Sequence, residues 1–575
     1  MIKALLQSFD PVRPGWDYQF GAPLAVHAAR SLAAVVPVLR WAEEQARQRW
    51  VVVSIAYEAA PALDRTLATH SSGPLPLVWA AAFKRPSRVR PVRGPVPASR
   101  PWSAGLSYPD YARAIKKIKT LIARGHTYQV NFTFPLRRGF RGDARAWFDR
   151  LGRTQGAPYS AYLDFGRWKI LSFSPEIFFS RRGNRLTLRP MKGSAPRGRW
   201  PAEDEARART LARSAKDRAE NLMIVDLLRS DAGKIARPGG VRTKRLFEVE
   251  RYPTVHQMTS TLEARLSPGT GLVEILRALF PSGSVTGAPK RRTMEIIRSL
   301  EPGRRGLYTG AIGLLKPRSD WTFNVAIRTV TLDARAGRAV CPVGGGVTWA
   351  SSARAERDEA LLKGKFLSAP DFDLVETLRL ENGRFSLRGG HRERLLRSAD
   401  FFGFRRNPAE IEGILGRTAR RHPRGLWKVR LCLSPDGAVR VKTSAFSSME
   451  TPWRAALSPE PVDERNVLLF HKTTDRGVYE RHAALRPGVD EVLLWNRRGE
   501  ITEGTRTNVV VEKKGRFFTP PVSSGLLAGV FRQKLLRQGK VRERVLRRSD
   551  LRSADRVWLV NALRGWIPTR GLSRL

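Results

Sequence analysis

Gly283-Ser284-Val285-Thr286-Gly287-Ala288-Pro289-Lys290 leads into a helical pattern over residues 290–299 and belongs to a series of unusual segments set in order along the chain. Before it stand Thr127-Tyr128-Gln129-Val130-Asn131, Ser174-Pro175-Glu176, Pro190-Met191-Lys192-Gly193-Ser194 and Glu220-Asn221-Leu222-Met223-Ile224-Val225-Asp226-Leu227. After it come Arg305-Gly306-Leu307-Tyr308-Thr309-Gly310, Ile327-Arg328-Thr329, Gly344-Gly345-Gly346, and Glu359 with Lys363. Helical patterns at 110–124 and 202–229 are mixed with strand patterns at 169–173, 185–189 and 322–332, which predicts an α+β domain.

Residues 84–104, rich in Pro, Arg and Ser, read as a surface loop within this domain. A helix expected at 356–367 is followed by a hairpin, with strands 374–380 and 384–387 flanking Glu381-Asn382-Gly383, and a new domain begins there. The cut falls at about residue 369, giving units 1–369 and 370–575. The second also mixes strands (427–433, 491–495, 507–512) with helices, notably 392–402.

The 575 residues are 42% hydrophobic, enough for large cores, and exclude disorder or a coiled coil as a description of the whole. The formal charge of +51 raises the alternative of a nucleic-acid-binding protein. The basic residues are mostly arginine and dispersed, with no long block or basic tail, so solvated faces with an arginine bias are the better reading and no nucleic-acid partner is expected. Cys341 and Cys432 each lie in an apolar strand-like run and offer neither a disulfide framework nor a zinc site. Residues 1–10 lack a signal-peptide layout and no apolar run approaches about 20 residues, so a cytoplasmic protein with no membrane partner is expected.

Glu359 and Lys363, at i and i+4, share one helix face, and Glu220 opens an apolar helical run whose residues 222–225 should face a core. Two carboxylates from separate helices can clamp a hard Mg²⁺ ion that keeps its waters and binds a substrate carboxylate. Arg328, in a strand of buried character, needs an anion as partner. A glycine triplet such as 344–346 by itself reads as a tight turn.

In order and spacing these segments resemble the chorismate-utilising enzymes over nearly all of residues 1–369. The resemblance implies Glu220 and Glu359 as Mg²⁺ ligands. It implies Gln129, His256, Ser284, Thr286, Tyr308, Arg328, Gly344, Gly345, Gly346 and Lys363 as residues around the substrate chorismate, the glycines presenting backbone N–H groups. His126, Ser230, Ala350, Ser352 and Arg354 depart from the family pattern and remove negative charge near the metal helix.

Two residues narrow the reaction. Isochorismate-forming relatives carry a lysine where this chain has Gln129, and anthranilate synthases a small residue where it has Lys192. Lys192 therefore resembles the nucleophile of the aminodeoxychorismate synthase branch, which attacks C2 while the 4-hydroxyl departs; ammonia then adds at C4. The amine must be partly deprotonated, as burial or a nearby cation would promote, and Glu176 can protonate the leaving hydroxyl. Neither cysteine has a glutaminase setting, so ammonia is expected from a separate glutamine amidotransferase subunit.

Residues 370–575 resemble the class IV aminotransferases, most closely the aminodeoxychorismate lyase branch, through His391-Arg392-Glu393-Arg394-Leu395, His471-Lys472-Thr473, Glu503-Gly504-Thr505 and Gly525-Leu526-Leu527-Ala528-Gly529-Val530. The resemblance implies a fold type IV pyridoxal 5'-phosphate unit of two α/β lobes. Lys472 would hold the coenzyme and act as base, Glu503 would pair with the ring nitrogen, and Arg394 with Gly525, Leu526, Leu527, Gly529 and Val530 would hold the phosphate. Thr377 matches a lyase hydroxyl that relays a proton, and a homodimer through this half is expected by analogy. The alternative for this half is transamination of a branched-chain or D-amino acid. Taken together, the two resemblances imply conversion of chorismate to 4-aminobenzoate, a folate precursor.

Overall fold

The computed structural model describes residues 3–10, 15–89, 101–252, 255–318, 320–368, 372–447 and 452–570. The chain divides into two compact units, residues 1–197 with 206–369, and residues 198–205 with 370–575. The cut expected at residue 369 and most of the loop expected at 84–104 lie outside the described residues.

The first unit is built on two large sheets. One runs Gly287–Ala288, Gln129–Gly139, Arg338–Val347, Thr329–Asp333, Trp168–Ser174, Tyr159–Phe165, Ala4–Gln7, Asp17–Phe20. The other runs Met191–Pro196, Val255–Leu266, Arg185–Leu188, Ile177–Arg182, Asp320–Val325, Ala311–Lys316, Trp50–Ile55, Val78–Phe83, Ala25–Ala29. Ala4, Leu6 and Leu163 of the first sheet share a core with Val52, Ala81 and Leu314 of the second, while Leu5, one residue out of phase, faces a core of helices on the outer side. The period of two thus makes each strand serve two cores.

Two neighbouring strands change sheets at the same level. Trp168–Ser174 passes through Pro175 and Glu176 into Ile177–Arg182, and Asp320–Val325 passes through residues 326–328 into Thr329–Asp333. The crossings are stitched together: Val325 N donates to Glu176 O (3.1 Å), Phe173 N to Arg328 O (3.1 Å), and Ser174 Oγ to Val325 O (2.6 Å). The single strand expected at 322–332 is therefore two, and Arg328 sits in the break with φ +52° rather than in a strand. A chain cannot enter a second sheet without leaving the first, and hydrophobic patterning is blind to that exchange.

Three more expectations are corrected. The helix at 202–229 is two, Pro201–Arg213 and Ala215–Gly233, because extended Ser214 interrupts it and caps the second by accepting Asp217 N (3.2 Å). The helix at 356–367 is Ala353–Lys363, capped by Ser352 and followed by a 3₁₀ turn, Lys365–Ser368. Gly344, Gly345 and Gly346 form no turn; they lie in strand Arg338–Val347, in register with Thr133, Phe132 and Asn131.

In the second unit an antiparallel sheet, ordered Arg384–Phe385, Leu374–Glu381, Leu426–Leu433, Val439–Ala445, packs Leu374, Leu378 and Leu380 against Leu395, Ala399, Ile411 and Leu415 of the helices Arg388–Phe402 and Pro408–Arg421. The hairpin expected at Glu381-Asn382-Gly383 is present, with Leu380 opposite Phe385. A mixed eight-stranded sheet runs from Ile501–Gly504 to Arg542–Glu543. Among the described residues no helix is long and apolar enough to cross a membrane.

Candidate active sites

The first unit holds an open cleft where the two crossings meet the glycine strand. Lys192, on strand Met191–Pro196, lines it, and a Cβ on Gly346 would overlap its Nζ. The Lys192 backbone is fixed by Asn221, whose Nδ2 donates to its carbonyl (3.0 Å) while Oδ1 accepts Ser260 Oγ (2.6 Å). Sequence reasoning missed Asn221; an amide at the buried register of an apolar helix was the available signal. That helix buries Asn221, Ile224, Val225 and Leu228 and leaves Leu222 exposed, since a period of 3.6 cannot bury four successive residues as expected for 222–225.

Glu176 lies on one crossing, buried, accepting Ser284 Oγ (2.8 Å). Burial pushes its carboxyl up to about 7. Arg328, on the other crossing, also lines the cleft; its Nη1 is enclosed and bonds nothing among the described residues, and burial lowers the guanidinium to about 10. An enclosed cation without a counter-charge is an anion site. Tyr308, whose phenol burial pushes up, lines the same wall.

Glu220, Glu356 and Glu359 also line the cleft. Glu220 Oε2 stands 3.7 Å from Lys192 Nζ and its Oε1 3.9 Å from Lys216 Nζ. Glu359 is held low first by Lys363, 3.0 Å away, and also feels Lys192 and Lys216, the cations beside Glu220. The two carboxylates thus share one field. No group of three metal-ligating side chains exists among the described residues. The donors fit a hard cation that keeps most of its waters rather than a closed protein cage. Lys363 also donates to Gly344 O (3.0 Å).

Four expected residues stand back from the cleft lining: Gly345, between two glycines that do line it, and Gln129, Thr286 and His256. Gln129 is buried behind Gly346, where a Cβ would come 2.7 Å from its Nε2, and neither amide atom is bonded among the described residues. Thr286 turns its hydroxyl to Ser282 O (3.0 Å). His256 is fully buried in Val255–Leu266, and strand alternation puts Gln257, bonded to Gly193 O (2.8 Å), on the cleft side instead.

In the second unit Lys472 follows His471 and is lowered to about 8 by burial, then by Arg394. Glu503, pushed up to about 8 by burial, accepts Tyr479 OH (2.8 Å), Leu527 N (3.2 Å) and Asn508 Nδ2 (3.3 Å) but forms no salt bridge among the described residues. Lys472 and Glu503 act on one another electrostatically and so share a site. A buried carboxyl without a cation fits a protonated ring nitrogen, and a buried amine fits a coenzyme aldehyde. Gly525 takes φ +101°, and Gly529 caps the helix Val530–Arg537, where a Cβ would overlap Asn508 Oδ1; with Leu526 buried, the loop brings backbone amides close.

Arg394 gives Nε and Nη2 to Glu376 (2.8 and 2.6 Å), and His391 Nδ1 lies 2.6 Å from the same carboxylate. Burial raises Glu376, but Arg394 and His391 outweigh it and hold the group at about 2. Glu376 was missed too, although a charge between Leu374 and Leu378 on the inward face of a strand is a readable signal. Thr377 lies on the other face of that strand, half-buried.

Residues 41–369 match the model of the chorismate binding enzyme family, and residues 373–572 that of amino-transferase class IV. The chain is 38% identical over 339 residues to aminodeoxychorismate synthase component 1 of Salmonella typhimurium, covering 58% of this chain and 70% of that protein. It is 41% identical over 262 residues to the Escherichia coli protein of the same name, covering 46% and 57%. Anthranilate synthase component I of Streptococcus pneumoniae shares the fold of the first unit, with a TM-score of 0.55 at 21% identity over 63% of this chain and 93% of that one.

Proposed function

The chain belongs to the chorismate binding enzyme family and carries a class IV aminotransferase domain beside it, and on that premise we propose that it converts chorismate to 4-aminobenzoate in two steps, one per unit. The observation that carries the first step is Lys192, an amine in the cleft at the place a Cβ of residue 346 would take. Arg328 binds a substrate carboxylate through the enclosed Nη1. Lys192 Nζ attacks C2, the ring double bond shifts, and the C4–O bond breaks; Glu176, whose carboxyl burial raises to about 7 so that a large fraction keeps its proton at neutral pH, gives that proton so that water leaves. Ammonia then forms the C4–N bond, the double bond shifts back, and the C2–N bond to Lys192 breaks, returning the amine. Glu220 and Glu359 would hold Mg²⁺, which supplies charge stabilisation of a substrate carboxylate when bound. The ammonia comes from a glutamine amidotransferase subunit.

In the second unit pyridoxal phosphate, when bound, supplies an electron sink for loss of the 3-enolpyruvyl group as pyruvate. Lys472, Glu503, Arg394 and the 525–530 loop would hold it. Lys472, kept near neutrality by burial and Arg394, takes the C4 proton of the substrate. We place the enzyme in the cytoplasm, with its two cysteines unpaired, and pair its second units in a homodimer.

The test is incubation with chorismate, Mg²⁺, ammonium and pyridoxal phosphate. Formation of 4-aminobenzoate and pyruvate is expected. Lys192→Ala should abolish the aminated intermediate and Lys472→Ala should let it accumulate; amino transfer to a keto acid without pyruvate release would overturn the second step.

A further inference from the structure

We infer that Arg532, in the second unit, is a positioning residue that closes the neck of the 521–529 loop and so sets where its backbone amides meet the phosphate of the coenzyme; the inference rests on the coenzyme site proposed above. Among the described residues Arg532 is the largest side chain to be fully buried, at 1% exposure. A guanidinium is costly to enclose unless its N–H groups find acceptors.

Arg532 is the third residue of helix Val530–Arg537, where the chain leaves the loop, and it reaches back to where the chain enters. Its Nε donates to Thr519 Oγ1 (3.3 Å) and its Nη2 to Pro520 O (2.6 Å). Nη2 also donates to Oε1 of Glu543 (2.6 Å), the residue paired with Thr519 in the neighbouring parallel strand. The Thr519 hydroxyl in turn donates to Val509 O (2.8 Å), which anchors the neck in strand Asn508–Lys513. One side chain thus joins both ends of the loop to the sheet.

The bonds within the loop fix its middle. Asn496 Nδ2 donates to Ser524 O (2.8 Å) and Asn508 Nδ2 to Leu527 O (2.9 Å), while Leu527 N donates to Glu503 (3.2 Å). The two ends meet at the guanidinium. Arg394 has two donors engaged by Glu376, which leaves more of the phosphate to the loop amides, and a hydrogen bond weakens steeply once its donor is turned away. Arg532 lies within electrostatic reach of Glu503, the carboxyl proposed for the ring nitrogen, so the clamp stands beside the coenzyme.

Arg532→Met keeps most of the volume, removes a charge whose Nη1 is enclosed and bonds nothing among the described residues, and leaves the exposed Glu543 to water, so the variant should fold. The full chain, freed of coenzyme, is titrated with pyridoxal 5'-phosphate and, separately, with pyridoxal, which has the same aldehyde and ring without the phosphate; uptake is read from visible absorbance and tryptophan fluorescence. Arg532→Met should weaken pyridoxal phosphate about 30-fold, the loss expected for hydrogen bonds from a charged donor, and pyridoxal less than about twofold. Glu543→Gln keeps the guanidinium and should weaken pyridoxal phosphate about threefold, as for a partly exposed ion pair, with pyridoxal unchanged. Equal weakening of both ligands, which a general loss of structure would give, overturns the clamp, as does wild-type affinity for pyridoxal phosphate in Arg532→Met. If that variant does not fold, Glu543→Gln decides: a loss confined to the phosphate-bearing ligand supports the clamp, and any other result overturns it. Wild-type protein that takes up neither ligand overturns the proposed coenzyme site, and the clamp with it.

Discussion

Lys192 and Gly346 belong to different sheets, yet the lysine Nζ occupies the volume that a side chain at residue 346 would need. Gly346→Ala should therefore move the amine without touching its chemistry. A loss of about 10²-fold in amination rate is expected, with the melting temperature within a few degrees of wild type. Stopped reactions lacking ammonia, followed by intact-mass measurement, should show less substrate-derived adduct on Lys192 than in wild type.

Arg328→Ala separates binding from stability. The variant loses the anion partner, and the KM for chorismate should rise about 100-fold. It also removes an enclosed, uncompensated charge, so the protein should unfold at the same or a higher urea concentration than wild type. A variant that binds chorismate normally would show that the anchor lies elsewhere.

Glu176 predicts a pH limb. Its folded pKa of about 7 exceeds the ordinary 4.5, so the folded state holds a proton that the unfolded chain has released. Its contribution to stability is intact below pH 4.5 and is lost as pH rises to 7. Glu176→Gln should be more stable than wild type at pH 8, by up to about 3 kcal/mol, and nearly equal to it at pH 5. In wild type kcat should fall above pH 7 as the proton donor is lost, and the glutamine variant should lose that limb together with most activity. Urea titrations and initial rates at the two pH values decide it.

Glu376→Ala leaves Arg394 and His391 facing each other with no carboxylate between them. A loss of about 3–5 kcal/mol is expected in the second unit, with weaker retention of pyridoxal phosphate on dialysis. The folded pKa of about 2 lies below 4.5, so this contribution is present above pH 4.5 and lost as pH falls towards 2. Thermal melts from pH 7 to pH 3 should converge for wild type and variant.

Much of this was legible in residue order. Lys192, Glu176, Arg328, Glu220, Glu359, Lys472 and Glu503 stand in segments that the resemblance to known families singles out, and the hairpin at Asn382-Gly383 follows from turn chemistry. What the sequence hid depends on tertiary exchange. Nothing in the apolar run at 322–332 says that it changes sheets at Ala326, and nothing in three glycines says strand rather than turn until Thr133, Phe132 and Asn131 lie beside them. Asn221 and Glu376 carry only the signal of a polar residue in a buried register, because each acts through another residue, one holding the Lys192 backbone and the other the Arg394 guanidinium.

The paired crossings make the first cleft a fixed gauge on one side. Glu176 and Arg328 ride on adjacent crossings whose backbones are cross-linked at Val325 and Phe173, so any breathing of the sandwich carries proton donor and anion anchor as one body. Lys192 and Glu220 sit on other elements and can shift against that body. A bulkier ring would be admitted by remodelling the wall that carries those two, while the span from acid to anchor stays constant and sets which molecules measure up.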